Sequence, residues 1–336
     1  MEIKLTMLVG KRRRRRGRIM YSLIEMLRYK RPEGSDTQRE FCNRFLEPMF
    51  GLPDRYGNYL LILGDKPNLC FTAHHDTVHT TDGMQQLLVA NDIVSVADTT
   101  NSNCLGADCT TGIWLILNMI EAGIDGVYVI HAAEESGCKG SKALIKDDPV
   151  WLDYVDSVIS FDRFGDTSVI THQMGVRTAS DAFAESFALA LGMPELVSDT
   201  GGSYTDSNEY INYVQECTNI SVGYYGQHGV NETQDLKYAE LLATALVCAD
   251  WSKLVFERDP SVVEDLWYTG NYGRVHKPNE SNIQAMKDLI QDHPQRIAEL
   301  LDEWGINYYS LMEEAGVCDS GYYQEPVNQD KYYYAY

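Results

Sequence analysis

Cysteine is scarce and unpatterned: eight thiols in 336 residues, none in a Cys-x-x-Cys pair. A disulfide-stapled chain of this length would need more, so reduced thiols of a cytoplasmic protein are expected. No run of about 18 uncharged apolar residues occurs, which argues against a membrane-spanning helix and a membrane partner. Basic charge is short, with 28 Lys and Arg against 49 Asp and Glu and a net charge of −21. The shortage is uneven. Residues 1–20 hold eight basic side chains (Lys4, Lys11, Arg12 to Arg16 and Arg18) against the single acid Glu2, so the remainder is more acidic than the net figure. A surface of that sign repels nucleic acid, and no nucleic-acid partner is expected. A secretion signal is not apparent either: the apolar stretch 19–27 is short, contains Glu25, and runs into Arg28, Lys30 and Arg31. With 44% hydrophobic and 23% charged residues, a mostly disordered chain is excluded.

Three regions follow from the pattern. Residues 1–20 read as a disordered basic tail, since a like-charged run is usually solvated, with Met20 as an alternative start. A chain beginning at Met20 is expected to match the full chain in melting temperature and turnover at moderate salt; a large loss would make the arginines structural. Residues 21–259 alternate β-rich runs with helical patterns. The segments 60–63, 68–73, 126–132, 155–161 and 218–225 read as strands, and 108–123, 141–145, 180–191 and 236–256 as helices. This alternation gives an α/β fold, a mostly parallel central sheet with helices on both faces. Residues 260–336 read as a Gly- and aromatic-rich linker over 267–278, a small helical extension at 281–292 and 295–304, and a Tyr-rich polar tail over 321–336.

Open α/β sheets bind ligands beyond the carboxyl ends of their strands, and the acids and histidines gather there. His74 and Asp76 follow one strand, Glu134 and Glu135 another, Asp162 ends a third, His228 follows the last, and Asp108 opens a helix. Carboxylates with imidazoles suit a zinc-type ion. Five ligands and a further Glu exceed the needs of one catalytic zinc and suit two ions about 3.5–4 Å apart sharing one carboxylate. Each residue alone reads more blandly: Asp108 as a helix N-cap, Glu134-Glu135 as a solvated pair, His228 as a polar loop residue. Their joint placement is the signal.

His74-His75-Asp76-Thr77-Val78, Gly106-Ala107-Asp108, Glu134-Glu135-Ser136-Gly137-Cys138-Lys139-Gly140-Ser141, Asp162 and His228 together resemble the co-catalytic zinc exopeptidases, the M28 aminopeptidase type and the related M20 and M42 types. The resemblance spans about 21–256. It implies the zinc exopeptidase/phosphorylase-like fold and two Zn2+ ions, with Co2+ or Mn2+ as other divalent choices. It implies that His74 and Asp162 complete one ion, that Glu135 and His228 complete the second, and that Asp108 bridges them. Asp76 would orient His74, and Glu134 would be the general base, taking a proton from water and passing it to the leaving amine. The interval from Asp162 to His228 is too short for the M20 lid domain, and that from His74 to Asp108 too short for the M42 insertion, which leaves the compact M28 layout. The segment Thr200–Ser207 resembles the family's Ser-Asp loop, with Asp206 shaping the site.

Some positions depart from the pattern. Cys109 stands where the family has Asn or Asp, after a peptide bond that is often cis there, and Cys138 stands where a larger apolar residue is common. His75 and His79 flank the first ligand and read as polar loop residues. Tyr204, Tyr224 and Tyr225 are the phenols available to stabilise an oxyanion. The expected activity is aminopeptidase hydrolysis of a peptide or small amide. The alternatives are a carboxypeptidase or N-acyl amino acid deacylase, a glutaminyl-cyclase-like enzyme, or an inactive binding module on the same fold. The oligomeric state is left open.

Overall fold

The computed structural model describes residues 21–147, 149–264, 287, 290, 291 and 293–303. These fall into two compact units, one within Met1–Tyr268 and the other within Thr269–Tyr336. In the second, the helix Pro294–Glu303 begins on the proline expected to break it; proline is tolerated in a first turn because its missing N–H has no helical partner there. The basic run 11–18, the linker 267–278 and the Tyr-rich end lie outside the described residues, as does most of the expected helix 281–292.

A seven-stranded mixed sheet organises the first unit. Its centre is four parallel strands in the order Glu216–Ser221, Ser157–Arg163, Leu69–His74, Gly126–His131. Tyr59–Leu63 closes one side antiparallel to Gly126–His131. On the other side Ser168–Ile170 runs antiparallel to Glu216–Ser221, and Val197–Asp199 pairs parallel with it. The residues of Leu69–His74, Gly126–His131 and Glu216–Ser221 are all buried, the pattern of strands covered on both faces.

Alternation along the strands separates two apolar layers. Cys70, Val127, Val129, Val158 and Cys217 face Leu144, Trp151 and Tyr210. Phe71, Tyr128, Ile130, Ile159 and Phe161 face the layer that includes Ile113, Ile116, Phe183, Phe187 and Leu242. Phe71 stacks between Tyr128 and Phe161, with ring centroids at 5.4 and 6.0 Å. The helices of this layer are Ala107–Ala122, Asp181–Leu191 and Leu236–Cys248. Ser180 caps the second by accepting from the Phe183 N–H at 3.0 Å, and Asp235 caps the third through Tyr238 N–H at 2.9 Å.

Three features differ from the sequence reading. The last helix stops at Cys248 instead of continuing to 256. Its apolar continuation is recruited elsewhere: Trp251 packs on Phe71 at 5.3 Å and Phe256 on Phe183 at 6.0 Å. Buried Arg258 then donates to the carbonyls of Ile211, Val214 and Gln215, while Glu216 accepts the Glu257 and Arg258 N–H groups. The stretch expected as one strand to residue 225 is split at Gly223 (φ 88), with Tyr224–Tyr225 moving to a second sheet. That sheet, ordered Tyr224–Tyr225, Thr233–Asp235, Ile93–Val96, Leu87–Ala90, was not anticipated. Its hairpin turns at Asn91-Asp92, whose positive φ values of 52 and 64 suit a two-residue primed turn. No helix among the described residues is long and apolar enough to cross a membrane.

Two buried histidines contribute to the acid sensitivity of this unit. Burial, followed by the charge of Arg31, lowers His79 to about 3, and burial with neighbouring histidines lowers His131 to about 3. Both are neutral when folded, whereas an unfolded imidazole titrates near 6.5. Their contribution is present above about pH 6.5 and is lost as pH falls toward 3, because the unfolded chain then binds protons the fold does not. Buried carboxyls raised toward neutrality, such as Asp162 and Asp206, act in the opposite direction over this range, so the test is a comparison of variants. Between about pH 7.5 and 5 the urea midpoint of His131→Asn is expected to lose less, or gain more, than that of the wild type, and parallel pH profiles would show that His131 does not contribute.

Candidate metal centre

Strand ends deliver the donors. His74 closes its strand in register with His131, so the Glu134-Glu135 loop beyond His131 lies beside it. Asp162 stands at the end of the neighbouring parallel strand. Asp108 lies in the first turn of Ala107–Ala122 with an extended backbone (φ −76, ψ 108), and the Asp108–Cys109 peptide is cis. His228 arrives from an exposed loop with φ 60.

The two oxygens of Asp108 face different histidines. Oδ1 is 3.1 Å from His74 Nε2, and Oδ2 is 3.1 Å from His228 Nε2. His74 Nε2 is also 3.4 Å from Asp162 Oδ1 and 4.0 Å from Glu134 Oε2, while His228 Nε2 is 3.5 Å from Glu135 Oε2. The result, among the described residues, is three overlapping donor groups, each within 4.8 Å: His74, Asp108 and Asp162 (with Cys109); Asp108, Glu135 and His228; and His74, Glu134 and Glu135. The first two share Asp108.

The buried carboxylates disfavour one another's charge unless protons or cations offset it. Burial and the surrounding acids push Glu134 and Glu135 well above the usual carboxylate range, and burial with Asp108 pushes Asp162 up to about 7. Burial also works against the charged form of Asp108, but hydrogen bonds from His228 and His74 hold it well below its usual range. Among the described residues, the ion-pair partners of these four carboxylates are histidines and never Lys or Arg. Glu135 Oε1 is buried with no hydrogen-bond partner. Four carboxylates and two imidazoles, with an orphaned buried oxygen among them, are a donor set that fits divalent cations.

The supporting shell is specific. His74 Nδ1 faces the Asp76 backbone carbonyl at 3.1 Å and Asp76 Oδ1 at 3.5 Å, so this residue can fix the ring through both. The same carboxylate accepts the Glu134 N–H at 3.1 Å and the Glu135 N–H at 3.0 Å, so it also shapes the Glu-Glu loop, a role the sequence did not disclose. Burial opposes its charge, but His74 and the loop amide outweigh it and hold Asp76 down to about 2. Thr205 donates to Asp162 Oδ2 at 2.6 Å. Ser141 donates to buried Asp206 at 2.5 Å, tying the Thr200–Ser207 segment to the helix Lys139–Lys146; burial pushes Asp206 up to about 8. The missed residue is Glu232, whose buried carboxylate accepts backbone N–H groups from Leu105, Gly106, Ala107 and Asp108.

Other sequence candidates have different partners. His75 bonds Gln38 at 2.9 Å and the Gly57 carbonyl at 3.1 Å, and His79 bonds Thr77 at 2.7 Å; neither belongs to a donor group. Tyr224 spends its hydroxyl on the Asp162 carbonyl at 2.8 Å, and Tyr204 donates to Glu209 at 2.6 Å. Tyr225 is exposed, with its phenol beside Asp166. Cys109 donates to the Phe161 carbonyl at 3.0 Å, and Cys138 to Glu134 Oε1 at 3.7 Å.

The family model for Peptidase family M28 matches residues 61–214. Among solved structures, a tripeptidase from Staphylococcus aureus is similar with TM-score 0.56 and 15% identity, over 70% of this chain and 98% of that one. The TET1 peptidase of Pyrococcus horikoshii, which can assemble into a tetrahedron or a large octahedral shell, aligns with TM-score 0.51 and 15% identity over 68% and 100%. Aminopeptidase PepT from Bacillus cereus aligns with TM-score 0.51 and 13% identity over 69% and 97%. At these identities the structural likeness speaks to the fold. No curated protein sequence gives a significant match.

Proposed function

From the premise that residues 61–214 carry a Peptidase family M28 signature, we propose that the chain is a zinc-dependent exopeptidase acting as an aminopeptidase on a peptide or small amide. One observation carries the reading: Asp108 presents one oxygen to His74 and the other to His228, inside two donor groups that share it. His74, Asp108 and Asp162 would hold one ion, and Asp108, Glu135 and His228 the other. Bound there, zinc-class ions supply Lewis acidity, lowering the pKa of a water and polarising the scissile carbonyl.

The remaining chemistry belongs to side chains of this protein. Glu134, whose Oε2 lies 4.0 Å from His74 Nε2, would accept a proton from water and return it to the departing amine. Asp76 steadies both ends of that arrangement, the His74 ring through Nδ1 and the Glu134 and Glu135 backbones through its two oxygens. Burial of Glu134 among acids raises its affinity for a proton; to act as the base it must begin as the carboxylate, a form that cations held beside it would favour.

The test is hydrolysis by the zinc-loaded full chain across paired substrates, aminoacyl amides against the same compounds with the amine acylated. Preference for the free amine supports the aminopeptidase reading. Exclusive cleavage of the acylated series would replace it with a deacylase.

A further inference from the structure

Glu232 touches none of the donor atoms, yet it joins two of the segments that carry them. Its side chain is buried, with the residue 1% exposed, and its two oxygens take four consecutive backbone N–H groups. Oε2 accepts from Leu105 at 2.9 Å and Gly106 at 3.0 Å, and Oε1 from Ala107 at 2.8 Å and Asp108 at 3.3 Å. The first amides of a helix have no partner in the helix itself, and here one carboxylate from more than a hundred residues downstream satisfies them. Gly106 adopts φ 71 within this turn, and a Cβ there would lie 2.7 Å from the His79 ring, so the turn has little room for another path.

The fourth amide belongs to Asp108, the residue whose oxygens divide between the two histidines. Four positions before Glu232 stands His228. The His228 side chain is 48% exposed, against 1% for His74 and 11% for Asp108 and Glu135. It is therefore the donor least fixed by surrounding packing. After it the chain returns through the Glu232 N–H to Gly229 carbonyl bond at 3.0 Å and then enters the strand Thr233–Asp235. The Glu232 carboxylate is thus a tie between the exposed loop holding His228 and the buried turn holding Asp108.

We infer that Glu232 is a positioning residue for the metal centre, setting the affinity of the position formed by Asp108, Glu135 and His228 while leaving the His74, Asp108 and Asp162 position largely intact. The inference rests on the two-position reading above. Groups that orient ligands from behind typically change metal affinity by about 10–100-fold when altered. Glutamine at this position keeps the volume and one acceptor oxygen but offers an NH2 to two of the four amides. The loss should fall on the position whose remaining donor, His228, depends on the tie.

The experiment is zinc and cobalt titration of the metal-free full-length chain, as wild type, Glu232→Gln, Glu232→Asp and His228→Ala, with melting of each metal-free protein alongside. Wild type should take up two ions. Glu232→Gln should bind its weaker ion about 10–100-fold less tightly with the tighter ion little changed, reproducing the His228→Ala pattern, and Glu232→Asp should fall between it and wild type. A purely structural carboxylate would instead lower the metal-free melting temperature and weaken both ions alike, and that result, or two wild-type affinities in both Glu232 variants, would overturn the inference. Should Glu232→Gln fail to fold, the aspartate variant is judged by the same criterion. A wild-type chain that binds fewer than two ions would overturn the two-position reading itself, a failure distinct from that of a chain that binds two with no dependence on Glu232.

Discussion

Glu134→Gln is expected to leave the metal content unchanged and to lower kcat by about 10²–10⁴-fold, the usual contribution of a general base. The amide has the shape of the carboxyl but cannot take a proton from water. Its backbone anchor survives, because the Glu134 N–H bond to Asp76 does not involve the side chain. The carboxyl lies 4.0 Å from His74 Nε2 and belongs to neither donor group that shares Asp108, although it also groups with His74 and Glu135, so metal content decides between a base and a ligand. Parallel metal analysis and steady-state kinetics of the variant check this. Loss of metal would make Glu134 a ligand, and a native rate would remove it from the chemistry.

Asp108→Ala is expected to lose both ions, and His74→Ala to weaken mainly one. The asymmetry follows from geometry: Asp108 sends one oxygen toward each histidine, while His74 lies within 3.4 Å of Asp108 and Asp162 at one side of the cluster. Removing the shared carboxylate also leaves His74 and His228 without their 3.1 Å partner, so the two donor groups lose their common member. Activity should fall to background in Asp108→Ala. Metal-to-protein ratios of the two purified variants are the readout, and equal ratios would contradict a shared carboxylate.

The central strands and their ends were legible because a strand buried on both faces writes itself as an unbroken apolar run, and the run stops where the side chains turn polar. Cys70-Phe71-Thr72-Ala73 stopping at His74, and Val127 to Ile130 stopping ahead of Glu134-Glu135, show this directly. The end of the last helix is not legible in the sequence for the converse reason. Trp251 and Phe256 prolong the apolar pattern, and only the three-dimensional positions of Phe71, Phe187 and Phe183 reveal that both residues pack from a chain that has already left the helix. The small antiparallel sheet is hard to read from sequence because its strands are two to four residues long and its exposed Leu88, Val89 and Ile93 mask the alternation of buried Val94 and Val96; the Asn91-Asp92 pair is the available signal. Glu232 could not be found from residue types at all. Its partners are backbone amides, which every sequence contains, brought to it by the pairing of Thr233–Asp235 with Ile93–Val96. The resemblance to zinc exopeptidases supplied roles that spacing alone leaves open, above all which of Glu134 and Glu135 reaches a metal. The geometry is compatible with that division: Glu135 lies 3.5 Å from His228, and Glu134 faces His74 at 4.0 Å.

The most direct test of the account is the zinc content of the purified full-length chain, measured by elemental analysis on the same sample assayed for hydrolysis of an aminoacyl amide before and after chelation. The account predicts two ions per chain, hydrolysis that disappears on chelation, and recovery on adding zinc back. One ion per chain would point to cyclase-like chemistry, and none, with hydrolysis absent or indifferent to chelator, would contradict a metal-dependent peptidase.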